Sequence, residues 1–292
     1  MSRVTVRVPA TAANIGPGFD TLGCAFSLYN RLTFETAEKT EILGCPAAFA
    51  GEDNLALVAF RTACRYAGRE APAVRITIET GVPVSRGLGS SASMLVGGAT
   101  GANLLLSLGL TKQDVLTIAT DLEGHPDNIA PAVFGGFTAA LMGETGTVAA
   151  NFPIHPSLRF CAFVPDFPVE TKAARAVLPK EIPFSEAVFN GTHLAVLMHA
   201  LSAGDTALLP VALQDRLHEP YRRTLIHCFD EVEAAARAAG AHAFFIGGSG
   251  PTCIAIYTDE GFPQAVTPVV SALPHNWQIL PLEIDREGAC AV

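Results

Sequence analysis

Pro83-Val84-Ser85-Arg86-Gly87-Leu88-Gly89-Ser90-Ser91-Ala92-Ser93 is the stretch on which the fold turns. A β-branched run from Val74 to Thr80 leads into it, and an apolar segment leads out toward Leu108. Gly87 and Gly89 let the backbone turn tightly and approach a ligand with no Cβ in the way. Ser90 or Ser91 is a natural N-cap for the helix that follows. A glycine-rich turn at a helix N-terminus presents free N–H groups and the positive end of a dipole, which suit an anion such as phosphate. It is not a P-loop, because no Lys-Ser/Thr pair follows the second glycine. A plain strand–turn–helix joint without a ligand is the competing reading, and the loop alone does not decide between them.

The chain has 292 residues, room for one large domain or two ordinary ones. Hydrophobic residues make up 49% and charged residues 16%, which fills a core and excludes disorder. A formal net charge of -9 argues against nucleic acid as the main partner, though not against an anion held by a local field. Seven cysteines, an odd number with no Cys-x-x-Cys, fit the reduced thiols of a cytoplasmic protein better than a disulfide framework or a zinc site. The start, Met1 to Val8, alternates as a strand does and lacks the apolar core of a signal peptide. From Gly87 to Thr111 no residue is charged, a length that raises a membrane span. Six glycines, several serines and Asn103 in that segment argue instead for a helix buried inside protein, with no membrane partner.

Taken in order, Val4 to Val8 reads as a strand ended by Pro9. A loop over 9–20 carries Gly16-Pro17-Gly18, with Asn14 and Asp20 either satisfying turn backbone or facing a ligand. Arg31 to Glu38 alternates as a second strand. Asp53 or Asn54 caps a helix through Tyr66, stopped by Gly68. After the Val74–Thr80 strand, helices follow at Ala92–Leu108 and, capped by Thr111, at Lys112–Leu122. Glu123-Gly124-His125-Pro126-Asp127-Asn128 then packs two acids, a histidine and an asparagine around a helix stop. Asp127 either caps the next short helix or belongs to a site.

A strand near Thr138–Met142 precedes a turn-rich stretch over 143–158, which divides the chain into 1–150 and 151–292. The second unit reads as a strand at Leu158–Val164 and helices over 185–201, 206–213 and 221–239. Strands at 243–246 and 253–257, a helix over 262–273 and a last strand over 277–284 complete it. Such an order makes an α+β sandwich of helices on an antiparallel sheet. A third glycine loop, Gly247 to Thr252, joins two of its strands.

Nucleotide phosphates bring Mg²⁺, which takes a few hard oxygen ligands, and Ser91 and Glu123 can supply them. A guanidinium grips a carboxylate with two parallel bonds, which makes Arg175 and Arg222 candidates for a small acidic substrate. Spacing alone, however, favours Arg222 and Arg223 as a solvated helix face beside Asp215, Glu219 and Glu231.

Three motifs break the tie. Pro9-Ala10-Thr11-x-Ala13-Asn14-x-Gly16-Pro17-Gly18-Phe19-Asp20, Pro83-x-x-x-Gly87-Leu88-Gly89-Ser90-Ser91-Ala92 and Gly248-Ser249-Gly250-Pro251-Thr252 resemble the signatures of the GHMP small-molecule kinases, in their order and spacing. Within that superfamily the chain is most similar to the homoserine kinases, through Glu123-Gly-His-Pro-Asp-Asn128, Thr171-Lys-x-x-Arg175 and Glu219-Pro-Tyr-Arg222.

The resemblance implies a two-domain α+β fold, with a ribosomal-protein-S5-like N-terminal domain that binds ATP and a ferredoxin-like C-terminal domain. The active site would lie between them. It implies ATP phosphates along Pro83–Ser93, Asn54 at the start of an adenine-side helix, and Mg²⁺ on Ser91 and Glu123. Asn14, Asp20, His125, Asp127, Asn128, Arg175, Arg222, Gly247 and Gly248 match a homoserine pocket. Asn128, Thr171 and Asn14 match the reacting centre. Several other members, mevalonate kinase among them, carry an Asp near position 128 as a candidate base. An Asn cannot take a proton, so catalysis without a protein base is implied, which a loose phosphoryl-transfer transition state tolerates. Ala12, Ile15 and His227 depart from the common pattern and remove none of these contacts. A homodimer is also plausible by resemblance. Two alternatives stand beside this reading: a GHMP kinase for another small alcohol, and a nucleotide-binding sensor without catalysis.

Overall fold

Two β-sheets, one at each end of a shared apolar core, organise the chain in a computed structural model that describes residues 3–144 and 146–292. Met1 and Ser2 of the N-terminal alternation lie outside the described residues. The first part runs β1 (Arg3–Ala13), β2 (Leu22–Thr36), β3 (Glu41–Leu43), α1 (Leu55–Tyr66), β4 (Val74–Glu79), α2 (Ser90–Leu106), α3 (Lys112–Glu123), α4 (Ile129–Phe134), β5 (Phe137–Gly143) and β6 (Gly146–Phe152). Its sheet has the order β1-β2-β4-β3, and the far end of β2 takes β5, which takes β6. Alternate residues Val6, Val8, Leu32, Phe34, Ile76 and Ile78 point to one face and are buried there under the helices.

That face explains the uncharged segment. Helix α2 packs on the sheet and on α1, so nearly every side of it is covered. Two of its glycines are there for closeness rather than flexibility. A Cβ on Gly98 would come 2.2 Å from the Ala56 carbonyl, and one on Gly101 would come 2.2 Å from the Phe34 ring. Among the described residues no helix is long and apolar enough to cross a membrane.

The chain continues as β7 (Arg159–Pro165), α5 (Thr171–Ala176), α6 (Phe184–Ala203), α7 (Leu209–Ala212), α8 (Glu219–Arg222), α9 (Phe229–Ala238), β8 (Ala243–Ile246), β9 (Cys253–Tyr257), α10 (Phe262–Val270) and β10 (Trp277–Leu282). The second sheet is antiparallel in the order β10-β7-β9-β8, the ferredoxin-like arrangement. Helices α9 and α10 cover one face. The other face meets the first sheet, with Ala10, Leu22 and Phe26 packed in one cluster with Phe160, Leu197 and Phe245. A last strand, β11 (Cys290–Ala291), returns to pair with β1.

Several elements differ from the sequence reading, each for a local reason. β1 does not stop at Pro9. The ladder with β2 shifts register between Pro9 and Ala10, so the missing proline N–H falls at an irregularity and the strand runs on to Ala13. The turn-rich stretch near 143–158 contains β6, and β3 and α5 are further elements the patterns did not reveal. The helix read over 221–239 is broken: α8 ends in a 3₁₀ turn at Arg223–Leu225, and Cys228 enters the left-handed region at φ 57° before α9 begins. The helix read over 206–213 shrinks to the four residues of α7.

Candidate active site

The loop between β4 and α2 turns through positive φ at Ser85 (54°), Gly87 (75°) and Gly89 (68°). A Cβ on Gly89 would lie 1.9 Å from Thr11 Oγ1, and one on Gly87 would lie 2.3 Å from the Gly247 carbonyl. The three glycine-bearing loops are therefore pressed against one another, and the Thr11 N–H bonds the Leu88 carbonyl at 3.1 Å. Gly87→Ala is expected to cost about 2 kcal/mol or more, from strain at positive φ and this close approach. The measurement is the thermal midpoint, and an unchanged Tm would show the loops to be loosely joined.

Neither Ser90 nor Ser91 is the N-cap of α2. Gly89 takes that position, with no side-chain cap bond, because nothing larger fits beside Thr11. The first-turn N–H groups of α2 are left for an anion. Ser91 instead donates its hydroxyl to Glu123 Oε2 at 2.7 Å, at the end of α3. Both line a cleft of about 460 Å³.

Val84, Ser85, Arg86, Gly87, Gly89 and Ser90 line the same cleft. Pro83, Leu88, Ala92 and Ser93 do not: Leu88 and Ala92 are buried in the core, and Ser93 bonds the Ser90 carbonyl and Asn30. Arg86 donates to the Pro165 and Asp166 carbonyls at 3.0 and 2.9 Å, tying the loop to the end of β7. At the apolar end of the cleft, Asn54 caps α1 by accepting the Ala56 and Leu57 N–H groups, beside Cys45, Pro46, Phe49 and Met94.

The opposite wall is built from charge. Asn14 and Asp20 hold left-handed backbone, at φ 71° and 51°. Asn14 Nδ2 donates to the Gly248 carbonyl at 2.8 Å, and its Oδ1 accepts the Asp20 N–H at 3.0 Å. Arg175, on α5, donates to both Asp20 oxygens at 2.8 and 3.1 Å. That hydrogen bond with Asp20 outweighs partial burial and raises the Arg175 pKa.

Arg222, on α8, is only 2% exposed, which rules out a solvated face for it. Its Nη1 donates to the Gly248 carbonyl at 2.9 Å and its Nε to the Ala174 carbonyl at 3.3 Å. Burial, helped by the nearby Arg175 charge, pushes its pKa down to about 10, so it stays cationic at neutral pH. Arg223, by contrast, faces outward and pairs with Asp230.

His125 Nδ1 lies 2.7 Å from Asp127 Oδ1. Burial works against a charged His125, but the bond to Asp127 and the Asp127 and Glu123 charges prevail and raise its pKa. The same Asp127 oxygen accepts the Asn128 N–H at 2.9 Å. Thr11 donates its hydroxyl to Asn128 Oδ1 at 2.8 Å, which presents the amide NH₂ as the donor end. Thr171 stands 3.5 Å from Ser249, oxygen to oxygen. Gly248 and Ser249 line the cleft, whereas Gly247 does not and bonds back to Thr252.

The structure thus brings Asn14, Asp20, Ser91, Glu123, His125, Asp127, Asn128, Thr171, Arg175 and Arg222 to one cleft. Sequence reasoning gave no role to Thr11, which orients Asn128, or to Phe19. The Phe19 ring centroid lies 5.7 Å from the Arg175 guanidinium and 5.1 Å from that of Arg222. Both residues sit inside the first quoted motif, so the signal was present. His218 was also missed: it is buried, stacks on Phe19 and bonds the Gly16 carbonyl, and burial lowers its pKa.

Comparison with known proteins bears on this geometry. The GHMP kinases N terminal domain model matches residues 54–136, and the GHMP kinases C terminal model matches 197–273. The homoserine kinase of Clostridium botulinum (strain Langeland) is 39% identical over 288 residues, covering 98% of this chain and 97% of its own. That of Trichodesmium erythraeum is 39% identical over 299 residues, covering 99% of this chain and 98% of its own. The crystal structure of homoserine kinase from Cytophaga hutchinsonii superposes with a TM-score of 0.90 at 29% identity, covering 100% of this chain and 98% of that one. L. major mevalonate kinase, at 16% identity and a TM-score of 0.72, shares the fold.

Proposed function

We infer that this chain, which belongs to the GHMP kinase family, transfers the γ-phosphoryl group of ATP to the side-chain hydroxyl of L-homoserine, giving O-phospho-L-homoserine for threonine biosynthesis. The observation that carries the reading is the wall formed by the Arg175–Asp20 ion pair and the buried Arg222, across one cleft from an uncapped helix N-terminus. One wall suits phosphate and the other suits a zwitterion.

In this reading residues 1–150 hold ATP and 151–292 close the substrate pocket. The loop lining from Val84 to Ser91 and the first N–H groups of α2 hold the phosphates, with Asn54 near the base. Arg222 and Arg175 take the α-carboxylate, since a guanidinium matches its two oxygens. Asp20 and the His125–Asp127 pair lie where an α-ammonium would be held. Thr171 lies beside the reacting groups.

Ser91 and Glu123 fit Mg²⁺: two hard oxygens in contact at the edge of the anion site. When bound there, the ion would neutralise charge on the phosphate oxygens. Asn128 orients the attacking hydroxyl through its NH₂ and does not remove a proton. No general base is required, because positioning and charge stabilisation supply most of the rate in phosphoryl transfer. The hydroxyl proton can leave to a phosphate oxygen or to water. A cytoplasmic location belongs to the same reading, supported by seven unpaired cysteines.

The test is ATP turnover across L-homoserine, L-threonine, mevalonate and galactose. Turnover is expected with L-homoserine far above the others. Activity with only a non-amino-acid alcohol would assign the chain to another small substrate.

A further inference from the structure

We propose that Glu219 is a positioning residue for Arg222 and for the Gly247–Gly248 loop, holding the start of α8 against the end of β8 from behind the cleft. This rests on the reading of the cleft as a homoserine site. Glu219 opens α8, three residues ahead of Arg222. It does not line the cleft and borders a separate cavity of about 310 Å³, with Asp215, Arg223, Glu233 and Arg237.

Glu219 Oε1 accepts the Ile246 N–H at 2.8 Å. Ile246 ends β8, the edge strand of the second sheet, so this donor is satisfied by a side chain rather than by a neighbouring strand. Two residues further on, the Gly248 carbonyl accepts from Arg222 Nη1 and from Asn14 Nδ2. A single turn of helix is thus fastened to one loop at two points, by the Glu219 carboxyl and the Arg222 guanidinium. Residues three apart on a helix are neighbours, so loss of the first fastening shifts the second.

The cap of α8 does not depend on this side chain. Asp215 Oδ2 accepts the His218 and Glu219 N–H groups, at 2.8 and 2.7 Å. Removing the Glu219 side chain therefore unties α8 from β8 while its first turn keeps its partners. Burial pushes the Glu219 carboxyl up to about 8 against the Ile246 N–H bond, which lowers it, with the Asp215 and Glu233 charges adding to the rise and Arg223 also opposing it. At neutral pH the group then contributes an acceptor oxygen more than a charge, and a glutamine supplies the same oxygen.

The experiment compares Glu219→Ala and Glu219→Gln with the wild-type protein. L-homoserine binding is measured by calorimetry, and KM for L-homoserine and ATP by steady-state kinetics. Glu219→Ala is expected to weaken L-homoserine binding, and to raise its KM, about tenfold, with KM for ATP changed by less than about twofold. Glu219→Gln is expected to restore both to near wild type. Glu219→Asp, whose shorter side chain does not reach Ile246, is expected to behave like the alanine variant and serves if that variant does not fold. Unchanged L-homoserine binding in Glu219→Ala, equal rises in both KM values, or a glutamine no better than alanine would overturn the proposal. No binding or turnover of L-homoserine by the wild-type protein would overturn the substrate reading itself, a different result from wild-type binding that the alanine leaves untouched.

Discussion

Glu123→Ala is expected to lower kcat by about three orders of magnitude, since a bound metal ion supplies several kcal/mol of charge stabilisation and each 1.36 kcal/mol is tenfold. The carboxylate accepts the Ser91 hydroxyl in the first turn of α2, in the cleft beside the loop proposed to hold phosphate. It is also the last residue of α3, followed by Gly124 as C-cap. An acid at the negative end of a helix is disfavoured by the dipole. Its placement there is not explained by stability, so the alanine variant should keep or slightly raise its Tm while losing turnover. Glu123→Gln, which retains an oxygen but no charge, should fall between. The measurements are kcat at saturating substrates, the Mg²⁺ dependence of turnover, and a melting curve. Full activity in Glu123→Ala would remove this residue from the proposed metal site, and a large fall in Tm would make the loss structural.

Arg222→Ala is expected to raise KM for L-homoserine about a hundredfold or more, because truncating one partner of a buried, hydrogen-bonded charge pair costs 2–5 kcal/mol. KM for ATP should move by less than about threefold, since Arg222 bonds Gly248 and Ala174 and makes no hydrogen bond to the 83–93 loop. The guanidinium makes protein bonds to Gly248 and Ala174 and faces the Phe19 ring, so its direction is fixed before substrate arrives. Arg222→Lys keeps a charge but loses the planar fork, and should recover only part of the loss. A folded Arg222→Ala protein with an unchanged KM for L-homoserine would mean that the carboxylate is held elsewhere, with Arg175 the remaining cation.

The glycine-loop wall of this site, proposed to hold phosphate, was legible in the sequence because glycine position is itself the signal. Gly87 and Gly89 occupy places that no side chain can share with Gly247 and Thr11, and such constraints are written locally. Two serines beside them misled the reading of the cap, because the preference for Ser at that position yields where there is no room for a Cβ. The charged wall was harder. Arg222 sits among Asp215, Glu219 and Arg223, and in sequence that looks like a solvated face. Its burial comes from packing against α5 and the Gly248 loop, contacts between residues 26 to 48 positions apart. Thr11 and Phe19 lay inside a recognised motif, but their tasks depend on partners over a hundred residues away and became visible only with the three loops assembled. β1 beyond Pro9 was hidden by the register shift between Pro9 and Ala10, and β6, which pairs with β5 in unbroken register, was hidden because Gly143, Gly146 and Pro153 read as turn.

The central claim is that an amino-acid carboxylate is gripped on one wall while its hydroxyl is phosphorylated on the other. The most direct measurement is ³¹P NMR of the products formed from ATP with L-homoserine and, in parallel, with 3-amino-1-propanol, which keeps the amine and hydroxyl and lacks the carboxylate. A phosphomonoester signal from L-homoserine and none from the amino alcohol under the same conditions is the predicted result. Equal phosphorylation of both, or of neither, would contradict it.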